Sequence, residues 1–316
     1  LTLVHPGRAK SAAKSTILCI IISRIPPLAK GGHFLYTQTF ISTTPSMAGV
    51  LVNAAQTHDR QTIPGIKDTL AVSSGKGGVG KSTLTANLAV ALAGKGLRIG
   101  LLDADIYGPN IPGMFGLSGR PEMHESSGRI QPLAAHGITA ISMGLLLDPG
   151  TPVIWRGPML AKMIHQFLFN VNWGELDLLL LDLPPGTGDV QITLTQIAPL
   201  TGALIVTTPS AIALEDVRRG VEMFRQTAVP LIGLVENMSY FSCDKCGHDE
   251  AIFGEGGGET TARHLDIPYL GQVPLDPLVG RQADAGEPIV QAHPDAASSQ
   301  ALLRLAGDVN SYFQSA

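Results

Sequence analysis

SGKGGVGKST, residues 74–83, decides how the rest of the chain is read. Gly75, Gly80, Lys81 and Ser82 occupy the fixed positions of the pattern GxxxxGK[ST], with a short apolar run before it and an apolar helical pattern after it. A loop of this kind wraps a polyphosphate with backbone N–H groups, because glycine lets the backbone approach closely and take positive φ. The helix that opens near Lys81 adds its N-terminal dipole. Gly75, Lys76, Gly77, Gly78, Val79, Gly80, Lys81, Ser82 and Thr83 are therefore all expected at the phosphates of a nucleoside triphosphate. Lys81 would reach the β- and γ-phosphates, and the Ser82 hydroxyl would ligate Mg²⁺. Lys76 has no role in a plain phosphate loop; it is either a solvated cation or a second phosphate ligand.

Outward from this loop the chain alternates short apolar runs with helical patterns. Thr69–Ser73 is the strand that feeds the loop, and Leu84, Leu88 and Leu92 recur at helical spacing up to Gly94. Further strands are expected at 98–102, 138–143, 176–183, 203–207, 231–235 and 269–273, and helices at 159–169 and 214–227, with a closing helix after Pro294. Near-continuous apolar strands separated by helices imply a doubly wound α/β fold with a mainly parallel sheet covered on both faces. Ligands then sit at the carboxyl ends of the strands, and the informative polar residues of this chain fall there.

Asp103 and Asp105 follow the second strand in LLDADIYGPNIP. They suit a mobile loop that senses the γ-phosphate by positioning water, the alternative being a solvated turn. Asp182 closes the run LDLLLLD, where an unpartnered carboxylate would be costly to bury. Holding Mg²⁺ through a water resolves that cost, and the Pro184–Gly186 turn would offer the Gly186 N–H to the γ-phosphate. Asn237, after a late strand, is either a base-reading amide or a turn former. His165 falls in an apolar helical pattern and reads as a core or boundary residue.

Cys243 and Cys246 form a CxxC in the hydrophilic stretch SYFSCDKCGHDE. A tight CxxC turn presents two thiolates to one metal, and Gly247 eases the knuckle. The pair is half of a tetrahedral thiolate site. Either His248 and an acid complete a zinc site within the chain, or two chains each donate a pair across a two-fold axis; a dithiol redox pair is the further alternative.

Bulk properties set the bounds. The 316 residues carry a formal charge of −4, with all 26 acidic residues but 17 of the 22 basic ones in residues 59–316, so that stretch carries −9. A body so negative is a poor nucleic-acid binder. Residues 1–58 hold five basic residues and no acid, the composition of an organelle transit peptide. The run Ile17–Ile22 is far shorter than the roughly 20 residues a bilayer span needs, so no stable membrane insertion is expected. Three cysteines make no disulfide framework and suggest a reducing compartment.

Taken together, SGKGGVGKST, DADIYGPNIP, DLPPGTGD, NMSYF and CDKCG, in this order, closely resemble the Mrp/ApbC/Nbp family of deviant Walker-A P-loop ATPases, relatives of MinD, ParA and the nitrogenase iron protein. The likeness covers about residues 62 to 290 and, with the basic leader, is greatest to the mitochondrial, Ind-type members. Members with an additional N-terminal cluster carry cysteines that this chain lacks there apart from Cys19. The resemblance implies a homodimer that binds ATP and ADP, assembles a [4Fe–4S] cluster on Cys243 and Cys246 of both chains, and transfers it to apoprotein clients, respiratory complex I among them, in the mitochondrial matrix. A start at Met47 would instead give a cytosolic form. It also implies that Lys76 crosses to the partner's nucleotide, joining Asp103, Asp105 and Asp182 in the catalytic set, with Ser82, Asp105 and Asp182 about Mg²⁺ and Asn237 reading adenine.

Overall fold

The central strand is the one that feeds the glycine-rich loop, and its neighbours follow from the apolar runs read above. In the computed structural model, residues 61–105, 108–146, 157–243 and 245–315 are described, so the leader expected over residues 1–58 lies outside the described residues. The elements in order are β1 (Ile66–Ser74), α1 (Lys81–Ala93), β2 (Ile99–Asp103), α2 (Ile111–Met114), β3 (Leu133–Ala135), β4 (Ile138–Ser142), α3 (Gly157–Phe169), β5 (Leu176–Asp182), α4 (Asp189–Ile197), β6 (Gly202–Thr207), α5 (Ala211–Gln226), β7 (Leu231–Asn237), β8 (Phe241–Ser242), β9 (Asp249–Glu250), α6 (Gly257–His264), β10 (Tyr269–Val273), α7 (Pro277–Ala285), α8 (Ile289–Ala292) and α9 (Ala297–Ser315).

Eight strands form one sheet in the order β10-β7-β6-β1-β5-β2-β4-β3. All neighbours run parallel except β3, which pairs antiparallel to β4 at one edge. This is the doubly wound, mainly parallel α/β fold expected. The period-2 geometry of a strand explains the leucine run: Leu178 and Leu180 face one helical layer, Leu179 and Leu181 the other, and all four are buried. On the first face α1 is buried through Leu84–Leu92, under α9, whose Leu302, Leu305 and Val309 join the same core. On the second face α3 and α5 contribute Ile164, Phe167, Val217 and Phe224.

The order reverses at β1. The chain leaves it toward β2 and β5 on one side and reaches β6 and β7 on the other, which places the loop after β1 in the crevice where such sheets bind ligands. Every strand expected from the sequence forms within about two residues of its reading, apart from β1, which starts three residues earlier at Ile66. Two local readings differ. Asp103 is the last residue of β2 and fully buried, so it belongs to the strand rather than to a mobile loop. His165 is exposed and stacks on Phe169, with ring centroids 4.6 Å apart, instead of lying in the core. Among the described residues no helix is long and apolar enough to cross a membrane.

Candidate nucleotide and thiolate site

The Gly75–Gly80 loop is fixed at both ends and open in the middle. A Cβ on Gly75 would lie 2.4 Å from Asp216 Cβ on α5, and one on Gly80 would lie 2.2 Å from Asn237 Nδ2. Gly78, at φ +82°, would meet nothing within 4 Å, and Gly77 only Pro185 Cγ at 3.8 Å. The packing thus pins the flanks and leaves a cradle of bare backbone, which fits a phosphate chain. Gly80 caps α1 in the left-handed conformation, with φ 80° and ψ 21°, and Ser74 Oγ donates to the Lys76 carbonyl at 3.0 Å. The Lys76 side chain is partly exposed, and none of the ion pairs among the described residues involves it.

Asp182 is the hub at the bottom of this cradle. Its carboxylate is fully buried and receives Lys81 Nζ at 2.8 Å, Ser82 Oγ at 2.6 Å and Thr85 Oγ1 at 2.8 Å. The unpartnered acid that the leucine run would otherwise bury is therefore paired and hydrogen-bonded. Ser82 and Asp182 supply adjacent hard oxygen donors, the chemistry Mg²⁺ selects. Thr85, one turn beyond Lys81, escaped the sequence reading; its signal was the Ser82/Thr85 spacing on one helix face.

Asp103 sits beside Asp182 in the β2–β5 register. Its carboxylate accepts from Ser142 Oγ at 2.8 Å and from the Asp105 N–H at 3.1 Å. Burial, followed by the neighbouring Asp182 charge, pushes its carboxyl up to about 7. Asp105 is buried too and accepts from the Gly108 N–H at 3.3 Å.

The Pro184–Gly188 turn lies along the loop. The Leu183 N–H donates to Val72 at 3.0 Å and the Gly186 N–H to Ser74 at 3.0 Å, so here the Gly186 N–H serves the backbone of β1, and reaching a phosphate would require that bond to open. Gln191 on α4, which the sequence reading did not single out, donates to the Pro184 carbonyl at 2.5 Å and to Ser73 Oγ at 3.2 Å. Asn237 donates through Nδ2 to the Val79 carbonyl at 2.8 Å, which ties the end of β7 to the loop.

Cys243 and Cys246 occupy the turn of a small hairpin made by β8 and β9. The Cys243 N–H donates to the His248 carbonyl at 2.9 Å and the Gly247 N–H to the Cys243 carbonyl at 2.8 Å, with Gly247 at φ +69°. Cys243 is half-buried and Cys246 exposed. Among the described residues no group of three His, Cys, Asp or Glu side chains gathers as a metal site. A surface cavity of about 520 Å³, lined by Arg98, His136, Trp173 and Glu175, sits at the amino ends of β2, β4 and β5 and shares no residue with this site.

Residues 65–310 match the family model of ParA-type, NUBPL iron-transfer P-loop NTPases. The iron-sulfur cluster carrier protein of Synechocystis is 52% identical over 255 residues, 79% of this chain and 72% of its own. The mouse iron-sulfur cluster transfer protein NUBPL is 46% identical over 252 residues, 79% of each chain. Among solved structures, the nucleotide-binding protein of Archaeoglobus fulgidus in complex with ADP is similar at 42% identity and a TM-score of 0.63, over 70% of this chain and 87% of that one.

Proposed function

The chain belongs to the NUBPL iron-transfer family of ParA-type P-loop NTPases, and from that premise we propose that it is an ATP-dependent carrier of a [4Fe–4S] cluster, held between two copies and handed to apoproteins. The observation that carries this reading is the CxxC hairpin: a hydrogen-bonded knuckle with two thiols at its tip, half of what a four-thiolate cluster needs. A second copy of the chain supplies the other half across a two-fold axis. The cluster is cargo, and a site shared between subunits releases it when they part.

The nucleotide end works through the chain's own side chains. Lys81 turns from Asp182 to the β- and γ-phosphates, and the bare Gly77 and Gly78 backbone takes the phosphate oxygens. Mg²⁺, held by Ser82 and through water by Asp182 and Asp105, would neutralise charge on those oxygens. Asp103 and Asp105 place water at the γ-phosphate, and the Gly186 N–H swings from Ser74 toward it. Lys76 reaches the nucleotide of the partner, and Asn237 reads the adenine. Because nucleotide and cluster both lie at the dimer interface, each biases retention of the other.

The bacterial and mouse relatives bear carrier and transfer names, which supports a general transfer role. For this chain the basic leader points to the mitochondrial matrix, with complex I subunits among the clients; import into isolated mitochondria with loss of the leader is the check. The central experiment is anaerobic purification with iron and acid-labile sulfide analysis. Cys243→Ser and Cys246→Ser should each abolish the reconstituted cluster absorbance and leave nucleotide binding nearly intact. Zinc without sulfide, or a full cluster in either variant, would overturn the reading.

A further inference from the structure

The CxxC hairpin is anchored at its base by two consecutive residues of β7, one facing each way. Asn237 donates to the Val79 carbonyl of the glycine-rich loop at 2.8 Å. Glu236 points to the other side of the strand and is fully buried. Its carboxylate accepts from the Gly258 N–H of α6 at 2.6 Å, from Gln272 Nε2 at 3.3 Å and from Ser239 Oγ. These donors are all neutral, and the N-terminus of α6 offsets the buried charge. The glycine at the second position of α6 follows from this: a Cβ on Gly258 would lie 2.6 Å from Glu236 Oε2.

The outgoing limb therefore reaches one end of the phosphate loop directly, and the returning limb reaches the other end through α5. The outgoing limb passes through Met238, at φ +55°, whose Cε lies 3.4 Å from where a Gly80 Cβ would stand. The returning limb packs at Gly257 against Leu214 of α5, and the same helix presents Asp216 to Gly75. A loop that tightens on phosphates acts on Asn237 at one end and on α5 at the other, while Glu236 holds the two limbs together.

We propose that Glu236 and Asn237 form the mechanical link between the phosphate loop and the CxxC hairpin, with Glu236 as the positioning residue, so that nucleotide in the loop changes the accessibility of Cys246. The link rests on nucleotide binding at residues 75–83 as proposed above. It needs no metal to be tested, because the thiol itself reports.

In the metal-free full chain, the alkylation rate of Cys246 by iodoacetamide is measured by site-resolved mass spectrometry with and without saturating Mg-ADP. The wild-type chain should slow by about fivefold with ADP, the lower range of ordinary coupling between sites. Glu236→Gln removes the carboxylate at constant shape, and Gly258→Ala displaces it from α6; both should bind ADP like the wild type yet alkylate at one rate whether or not ADP is present. Glu259→Gln, an exposed change beside them, should keep the wild-type ratio. A merely structural role would speed alkylation in both states and preserve the ratio. An ADP-independent wild-type rate, variants that keep the wild-type ratio, or variants that no longer bind ADP would each overturn the link. Failure of the wild-type chain to bind ADP would sink the nucleotide reading and the link with it.

Discussion

Two carboxylates, Asp103 and Asp182, lie side by side at the ends of β2 and β5, and the ammonium of Lys81 is bonded to the second. Burial and the adjacent charge raise the Asp103 carboxyl to about 7, against about 3.9 in an unfolded chain. Between those values the folded chain holds a proton that the unfolded chain has released, so stability falls as pH rises from about 4 to about 7 and the full cost persists above that. Asp103→Asn, measured without nucleotide or Mg²⁺, should accordingly raise the melting temperature by a few degrees at pH 8 and give little or no gain at pH 5; a difference that does not grow with pH would refute this account. Both acids were legible because each ends an apolar run. Ser142, Thr85 and Gln191 were not: they are ordinary polar residues, and only strand register and the path of α4 bring them to Asp103, Asp182 and the Pro184 turn.

At the scale of elements, the loop between β1 and α1 separates backbone strain from packing. Gly78 and Gly80 share φ near +80°, yet only the second has a neighbour in the place of a side chain, Asn237 Nδ2 at 2.2 Å. Gly78→Ala should cost the conformational term alone, about 1–2 kcal/mol. Gly80→Ala adds displacement of Asn237 and should lose nucleotide affinity by well over the tenfold that about 1.4 kcal/mol represents. Equal losses in titration calorimetry would remove the Asn237 contact from the argument. The strands were readable because buried parallel strands are continuous apolar runs. The edge strand β3 and the β8–β9 hairpin are two or three residues long. They carry too little pattern to be read, and the hairpin draws its order from its anchors at Glu236 and Asn237 rather than from its own pairing.

For the whole molecule, the −9 charge of residues 59–316 bears on the proposed dimer: two like-charged bodies would approach, and a thiolate-bound cluster would have to outweigh the repulsion. Reconstituted protein is expected to sediment as a dimer with one cluster per two chains, and chelation of the iron should return it to monomer at low salt; a monomer with a full cluster would contradict the shared site. The Lys81–Asp182 pair adds a last consequence. It is an internal competitor for the ligand, since nucleotide must win the lysine from a carboxylate 2.8 Å away, and the apparent affinity is the intrinsic one discounted by that pair. A loop with an idle lysine would stay saturated, a store of nucleotide. One whose lysine is already engaged responds over a higher range of concentration, which is the behaviour of a gauge.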